Sequence, residues 1–211
     1  MDPPRVKICG VARLEDAQLA AELGAWAVGM VFHPRSPRRC TLEEAEAIGA
    51  ALHRHAEVAG VFVNTPLDEI ARVADRARLT LVQLHGDEGP SFCAEVARRT
   101  GARVIKAAQV RGAFTVRDLG RFHTAFHLLD GHAPGLRGGT GERFDWSLVR
   151  ARRSRIPLIV SGGLDADSVA EAIEATRPFA VDVASGVEAA PGVKDPDRLR
   201  AFIDAARAVP V

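Results

Sequence analysis

Apolar residues in this chain fall in short runs, separated by longer stretches in which they recur every three or four positions. The runs are VKIC (6–9), WAVGMVF (26–32), VAGVFV (58–63), LTLVQL (79–84), RVIKA (103–107), AFHLLD (125–130), IPLIVS (156–161) and FAVDVA (179–184). Their length and β-branched content predict strands. The helical period lies between them, in LEDAQLAAEL (14–23), TLEEAEAIGAAL (41–52), PLDEIARVADRA (66–77), SFCAEVARR (91–99), VRDLGRF (116–122), DWSLVRARR (145–153), DADSVAEAIEA (165–175) and DPDRLRAFIDAARA (195–208). Thr41 and Glu44 have capping-box spacing, Pro66 suits a helix start, and Asp165 and Asp195 suit N-caps. Gly24 and Gly101 stand where helices end.

Eight strands alternating with eight helices, in units of about 25 residues, predict an α/β fold with parallel strands and helices outside. Eight units favour a closed (β/α)8 TIM barrel over an open doubly wound sheet, and 211 residues lies near the lower end of the barrel's size range. No Pro/Ser-rich linker interrupts the chain. Residues 1–211 are therefore expected to form a single, monofunctional barrel domain.

In such a barrel, ligands bind at the C-terminal ends of the strands. The predicted strand ends are polar almost throughout: Cys9-Gly10, the HPRSPRR segment at 33–39, Asn64, Gln83 to Gly86, Asp130, Ser161 to Leu164, and Asp182 followed by Ser185 to Glu188. Alternation puts Lys7 and Cys9 on one face of the first strand and Val6 and Ile8 on the other, so Lys7 and Cys9 are expected to point inward. Gln83 pairs with His85 by the same rule.

Two short glycine clusters, SGG at 161–163 and ASG at 184–186, follow the seventh and eighth strands. Free amides before a helix start favour an anion, and this is the recurring phosphate site of the fold. Gly162, Gly163, Ser185 and Gly186 are thus the phosphate candidates. A third cluster, RGGTGERFDW (137–146), follows the sixth strand as a potential covering loop shaped by Gly139 and Gly141.

Composition narrows the function classes. Twenty-eight basic residues balance 27 acidic ones, which gives no reason to expect a nucleic-acid or membrane partner. Cys9, Cys40 and Cys93 are too far apart for a CxxC pair, so neither a disulfide framework nor a zinc site is expected. The N-terminal MDPPRVK has no apolar signal region, and a reducing cytoplasm is the expected location.

The ordered set KICG, GMVFHPRSPRR, GVFVN, VQLHG, LLD, GGTG with FDW, SGGL and VDVASGVE resembles the phosphoribosylanthranilate isomerases of tryptophan biosynthesis over nearly the whole chain. The resemblance implies a (β/α)8 barrel that needs no metal or organic cofactor. Its implied substrate is a small phosphorylated molecule. The implied reaction is an Amadori rearrangement of N-(5′-phosphoribosyl)anthranilate to 1-(2-carboxyphenylamino)-1-deoxyribulose 5-phosphate.

By that resemblance Cys9 is the general base, Asp130 the general acid, and Arg38 the contact for the anthranilate carboxylate. An ordinary carboxyl is ionised and an ordinary thiol protonated at neutral pH, so the pair needs its pKa values shifted in opposite directions. Lys7, two residues from Cys9, is a candidate to favour the thiolate and to approach the substrate. Asp182 is expected either to contact substrate or to hydrogen-bond inside the barrel, and His85 to lie near the site. One position departs from the family pattern: a lysine is expected after GGTG, where Glu142 and Arg143 stand.

Two other readings stay open. Lys7 or Lys106 could serve an aldolase as a Schiff-base nucleophile, or the barrel could bind a phosphorylated metabolite without turning it over. Both a monomer and a homodimer are compatible with the sequence.

Overall fold

The computed structural model describes residues 3–131 and 144–210. Strands β1 (Arg5–Cys9), β2 (Ala27–Val31), β3 (Glu57–Phe62), β4 (Leu81–Leu84), β5 (Arg103–Gln109), β6 (Phe126–Asp130), β7 (Leu158–Val160) and β8 (Ala180–Val183) form a closed barrel in sequence order. All pairs are parallel, and β8 closes onto β1 with Lys7 in register with Asp182.

The alternation read from the sequence sorts the side chains. Val6, Ile8, Val28, Met30, Val82 and Leu84 face outward and join a core with helical residues such as Ile48, Ile70 and Phe202. Ala27, Ala59, Leu81, Ile105, Leu128 and Ile159 fill the barrel interior. Alanines on facing strands leave room there for the larger leucine and isoleucine side chains. The N-terminal end is sealed by Trp26, Phe126 and Phe179. Trp26 meets the two phenylalanines edge-on at 5.4 and 5.3 Å between centroids, and the Arg5 guanidinium lies 5.3 Å over Phe179.

The helices are α1 (Leu14–Glu22), α2 (Leu42–Leu52), α3 (Leu67–Arg76), α4 (Pro90–Thr100), α5 (Ala113–Asp118), α6 (Val169–Thr176) and α7 (Pro196–Arg207). Thr41 and Glu44 form the capping box of α2, and Asp195 caps α7 by accepting from the amides of Asp197 and Arg198. Asp165 accepts from the Ser168 amide, but in a turn ahead of α6, whose N-cap is Ser168. Pro66 is the N-cap of α3 rather than its first helical residue. Gly101 ends α4 in the left-handed conformation, as its position suggests.

Two helical expectations need correction. The 145–153 stretch contains a 3-10 helix at Trp146–Ala151, whose Trp146, Leu148, Val149 and Ala151 pack against the core but are only partly buried. The 116–122 stretch is the end of α5 followed by a 3-10 turn at Leu119–Arg121. One element was not expected at all. Strands β9 (Glu188–Ala190) and β10 (Val193–Lys194) form a small antiparallel hairpin between β8 and α7. Among the described residues no helix is long and apolar enough to cross a membrane.

Candidate active site

A cavity of about 500 Å³ opens at the C-terminal ends of the strands. Cys9, Arg38, His85, Asp130, Asp182 and the turns at 161–164 and 184–185 all line it. Residues more than 170 positions apart meet here because β1 and β8 are neighbours in the closed barrel.

Cys9 ends β1 and is 7 % exposed. Lys7 lies two residues below it, with no exposed surface, and does not line the cavity. Its ammonium donates to Asp182 Oδ1 at 2.6 Å, and Ser161 Oγ donates to the other carboxylate oxygen at 3.1 Å. Asp182 thus hydrogen-bonds inside the barrel and also lines the cavity. A side-chain carbon at Gly29 would lie 3.1 Å from Cys9 Sγ and 3.2 Å from Lys7 Nζ, so both groups converge over β2.

The electrostatics differ from the sequence expectation. Burial pushes the Cys9 thiol above its usual range, and the Lys7 charge, though it acts in the opposite direction, does not offset this. Lys7 itself is held above the usual lysine range; burial disfavours its charge, but Asp182 and Cys9 together more than compensate. Lys7 therefore favours the thiolate in sign, but it does not by itself deliver one.

Asp130 ends β6 across the cavity and is 4 % exposed. His85 Nε2 lies 3.3 Å from its Oδ2, without the alignment of a hydrogen bond. The other ring nitrogen, Nδ1, is 3.3 Å from Gln83 Nε2. His85 thus belongs to the site, between Gln83 and the carboxylate.

Arg38 reaches the cavity from the segment after β2. Its aliphatic stem lies against Gly10, where a side-chain carbon would come within 2.5 Å of Arg38 Cδ and where φ is +70°. Glycine after Cys9 therefore satisfies both the turn and the close approach of the arginine. The guanidinium donates to Glu188 through Nε at 2.8 and 3.0 Å and through Nη2 at 2.8 Å.

Gly162 and Gly163 have φ of +96° and +63°, and with Ser185 they line the cavity. Gly186 does not line it. A side chain there would strike the Leu164 carbonyl, so Gly186 lets the two turns pack together. Gly139 and Gly141 lie outside the described residues.

Residues 6–205 match the family model described as N-(5′-phosphoribosyl)anthranilate (PRA) isomerase. The chain belongs to the PRA isomerase family. The N-(5′-phosphoribosyl)anthranilate isomerase of Geobacter metallireducens is 47 % identical over 97 % of this chain and 99 % of its own. The phosphoribosyl anthranilate isomerase of Thermus thermophilus superposes with a TM-score of 0.87 at 40 % identity, over 97 % of this chain and 98 % of that one. A related isomerase structure holds reduced 1-(o-carboxyphenylamino)-1-deoxyribulose 5-phosphate. It superposes with a TM-score of 0.83 at 40 % identity, covering 98 % and 100 % of the two chains.

The two lysines considered for an aldolase do not present a free amine in this PRA isomerase cavity. Lys7 is sealed beneath it. Lys106 faces away from the barrel axis and bonds to Gly86 O and Glu88 Oε2, both at 2.8 Å. In the sequence Glu188 reads only as part of the polar end of the eighth strand, with no role, and Lys194 is not singled out. Lys194 Nζ donates to Glu188 Oε1 at 3.1 Å, to Ala184 O at 3.1 Å and to Cys9 O at 2.6 Å. The available signal was the Pro191-Gly192 pair between them, a turn dipeptide that closes a hairpin.

Proposed function

We propose that this chain catalyses the Amadori rearrangement of N-(5′-phosphoribosyl)anthranilate in tryptophan biosynthesis, with residues 1–211 acting as one catalytic barrel. The observation that carries the reading is the convergence of Cys9, Asp130, Arg38 and the two small-residue turns on one cavity.

Asp130 gives a proton to the furanose ring oxygen. The C1–O bond breaks, and the anilino nitrogen supplies the electrons that form the Schiff base. The Cys9 thiolate removes the C2 proton, and the electron pair of that bond reduces the C=N unit to an enolamine. Loss of the C2 hydroxyl proton and protonation at C1 then give the ketone. Carbon 1 is reduced and carbon 2 oxidised within one molecule, so the atoms balance with no other reactant. Arg38 binds the anthranilate carboxylate, which suits a planar guanidinium. The amides at 161–164 and 184–185 receive the phosphate. His85 stands beside the acid, Asp182 holds Lys7 beneath the base, and Lys7 offsets part of the cost of ionising a buried thiol.

The test follows the fluorescence of freshly generated phosphoribosylanthranilate. The native protein is expected to consume it, and Cys9→Ala and Asp130→Asn each to lose about 10²–10⁴-fold in kcat. A native protein that binds the phosphorylated ligand without turnover would instead make the barrel a binding protein.

A further inference from the structure

The Arg38 guanidinium is gripped along one edge. Nε and Nη2 are committed to Glu188, whereas among the described residues no hydrogen bond engages Nη1. The arginine side chain is 13 % exposed and lines the cavity. An arginine fixed by such a fork presents its remaining donors in one direction, so little rotational freedom is left to lose when a ligand binds.

Glu188 is fixed in turn. Its Oε1 accepts from Lys194 Nζ at 3.1 Å and from the Gly192 amide at 3.2 Å. The Lys194 backbone amide donates to Asp16 Oδ2 at 3.0 Å, which ties the hairpin to α1. The Lys194 ammonium also holds the backbone carbonyl of Cys9 at 2.6 Å. An unbroken chain of contacts thus runs from the Cys9 carbonyl through Lys194 and Glu188 to Arg38. All of it is buried or nearly so: Glu188 is 6 % and Lys194 3 % exposed.

Glu188 is shared between Arg38 and Lys194, and of the two cations only Arg38 lines the cavity. A ligand carboxylate at Arg38 Nη1 would meet a guanidinium in surroundings where water screens poorly.

We propose that Glu188 is a positioning residue for carboxylate specificity: it aims the Nη1 side of Arg38 into the cavity and, through Lys194, holds that donor in register with Cys9. The proposal rests on the reading of Arg38 as the contact for the anthranilate carboxylate.

The test compares two stable ligands, reduced 1-(o-carboxyphenylamino)-1-deoxyribulose 5-phosphate and the same molecule with a plain phenylamino group. Inhibition constants for both are measured on the native protein and on Arg38→Met, Glu188→Gln and Glu188→Asp. Glu188→Asp keeps the charge beside Lys194 but falls a methylene short of the fork, so it carries the test if the neutral variant folds poorly. The ratio of the two constants is the carboxylate preference, and the ligand without a carboxylate reports whether the cavity and phosphate turns are intact.

Arg38→Met is expected to lower the preference about a hundredfold, and each Glu188 variant about tenfold or more, with affinity for the plain ligand nearly unchanged. In the Arg38→Met background, Glu188→Gln is expected to lower it no further. A preference lost in Arg38→Met but retained in both Glu188 variants overturns the positioning role and leaves the Arg38 reading in place. A preference retained in Arg38→Met overturns both.

Discussion

Lys7 and Asp182 stand in register across the β1–β8 seam, with 2.6 Å between Nζ and Oδ1 and no solvent contact for the lysine. This pair closes the barrel and at the same time supports the floor beneath Cys9. Removing one partner strands the other. Asp182→Asn is expected to destabilise the fold by about 3–5 kcal/mol, and Lys7→Met combined with Asp182→Leu to recover most of that. Urea unfolding of the three proteins checks it; equal losses in single and double variants would count against the pairing.

The same pair has a pH signature. The folded-state pKa of Lys7 is raised, because Asp182, with Cys9, overcomes the burial penalty. Its stabilising contribution is therefore complete below the unfolded lysine value of about 10.4 and is lost only as pH rises through the higher folded value. Cys9, Cys40 and Cys93 act in the same direction. Burial raises all three thiols, Cys40 to about 12. Stability is expected to decline once pH passes about 8.5, where unfolded thiols begin to ionise. A flat profile from pH 8 to pH 10 in thermal melts would refute this.

Reactivity of Cys9 follows from its surroundings. Alkylation by iodoacetamide is expected to be slower at pH 7 than for a free thiol and to accelerate above pH 8.5. Lys7→Met should shift the profile further toward alkaline pH, since the Lys7 charge acts to lower the thiol's pKa. Mass spectrometry of the modified peptide identifies the site. An unshifted profile in the variant would remove Lys7 from the account of the thiol.

Gly10→Ala places a methyl group against the Arg38 stem at a residue with φ of +70°. The backbone conformation alone costs about 1–2 kcal/mol. The displaced arginine should raise KM about tenfold, while kcat changes little. Steady-state kinetics on phosphoribosylanthranilate separates the two constants; an unchanged KM would show that Arg38 tolerates the shift.

The aromatic seal offers the contrasting case. Phe126 lies at the N-terminal end of β6, opposite the cavity. Phe126→Ala is expected to cost about 3–5 kcal/mol of stability. Its kcat/KM at a permissive temperature should stay within about threefold of the native value, because stability and chemistry occupy opposite ends of such a barrel. A melting curve and a rate measurement on one preparation suffice.

The strands, their inward and outward faces and the ends that carry Cys9, Asp130 and the small-residue turns were legible in the chain. A period of two, a period near 3.6 and glycine punctuation are local signals, and the closed barrel rewards each of them. The helix after β6 was read wrongly for a related reason. Its apolar residues do pack against the core, but none is fully buried, and a short segment so shallowly anchored takes the tighter 3-10 turn instead of a longer α-helix.

The sequence by itself determined the alternation, the barrel class and the residue types available for acid–base chemistry. The tertiary structure alone decided which of them meet. Lys7 and Asp182 are 175 positions apart, Arg38 and Glu188 are 150, and Cys9 and Lys194 are 185. Barrel closure and the β9–β10 hairpin bring them within hydrogen-bonding distance. Neither the net lift of the Cys9 thiol nor the one-sided grip on Arg38 can be read from a linear chain. Both depend on burial and on the balance of opposing charges within a few ångströms, which exist only once distant strands are neighbours.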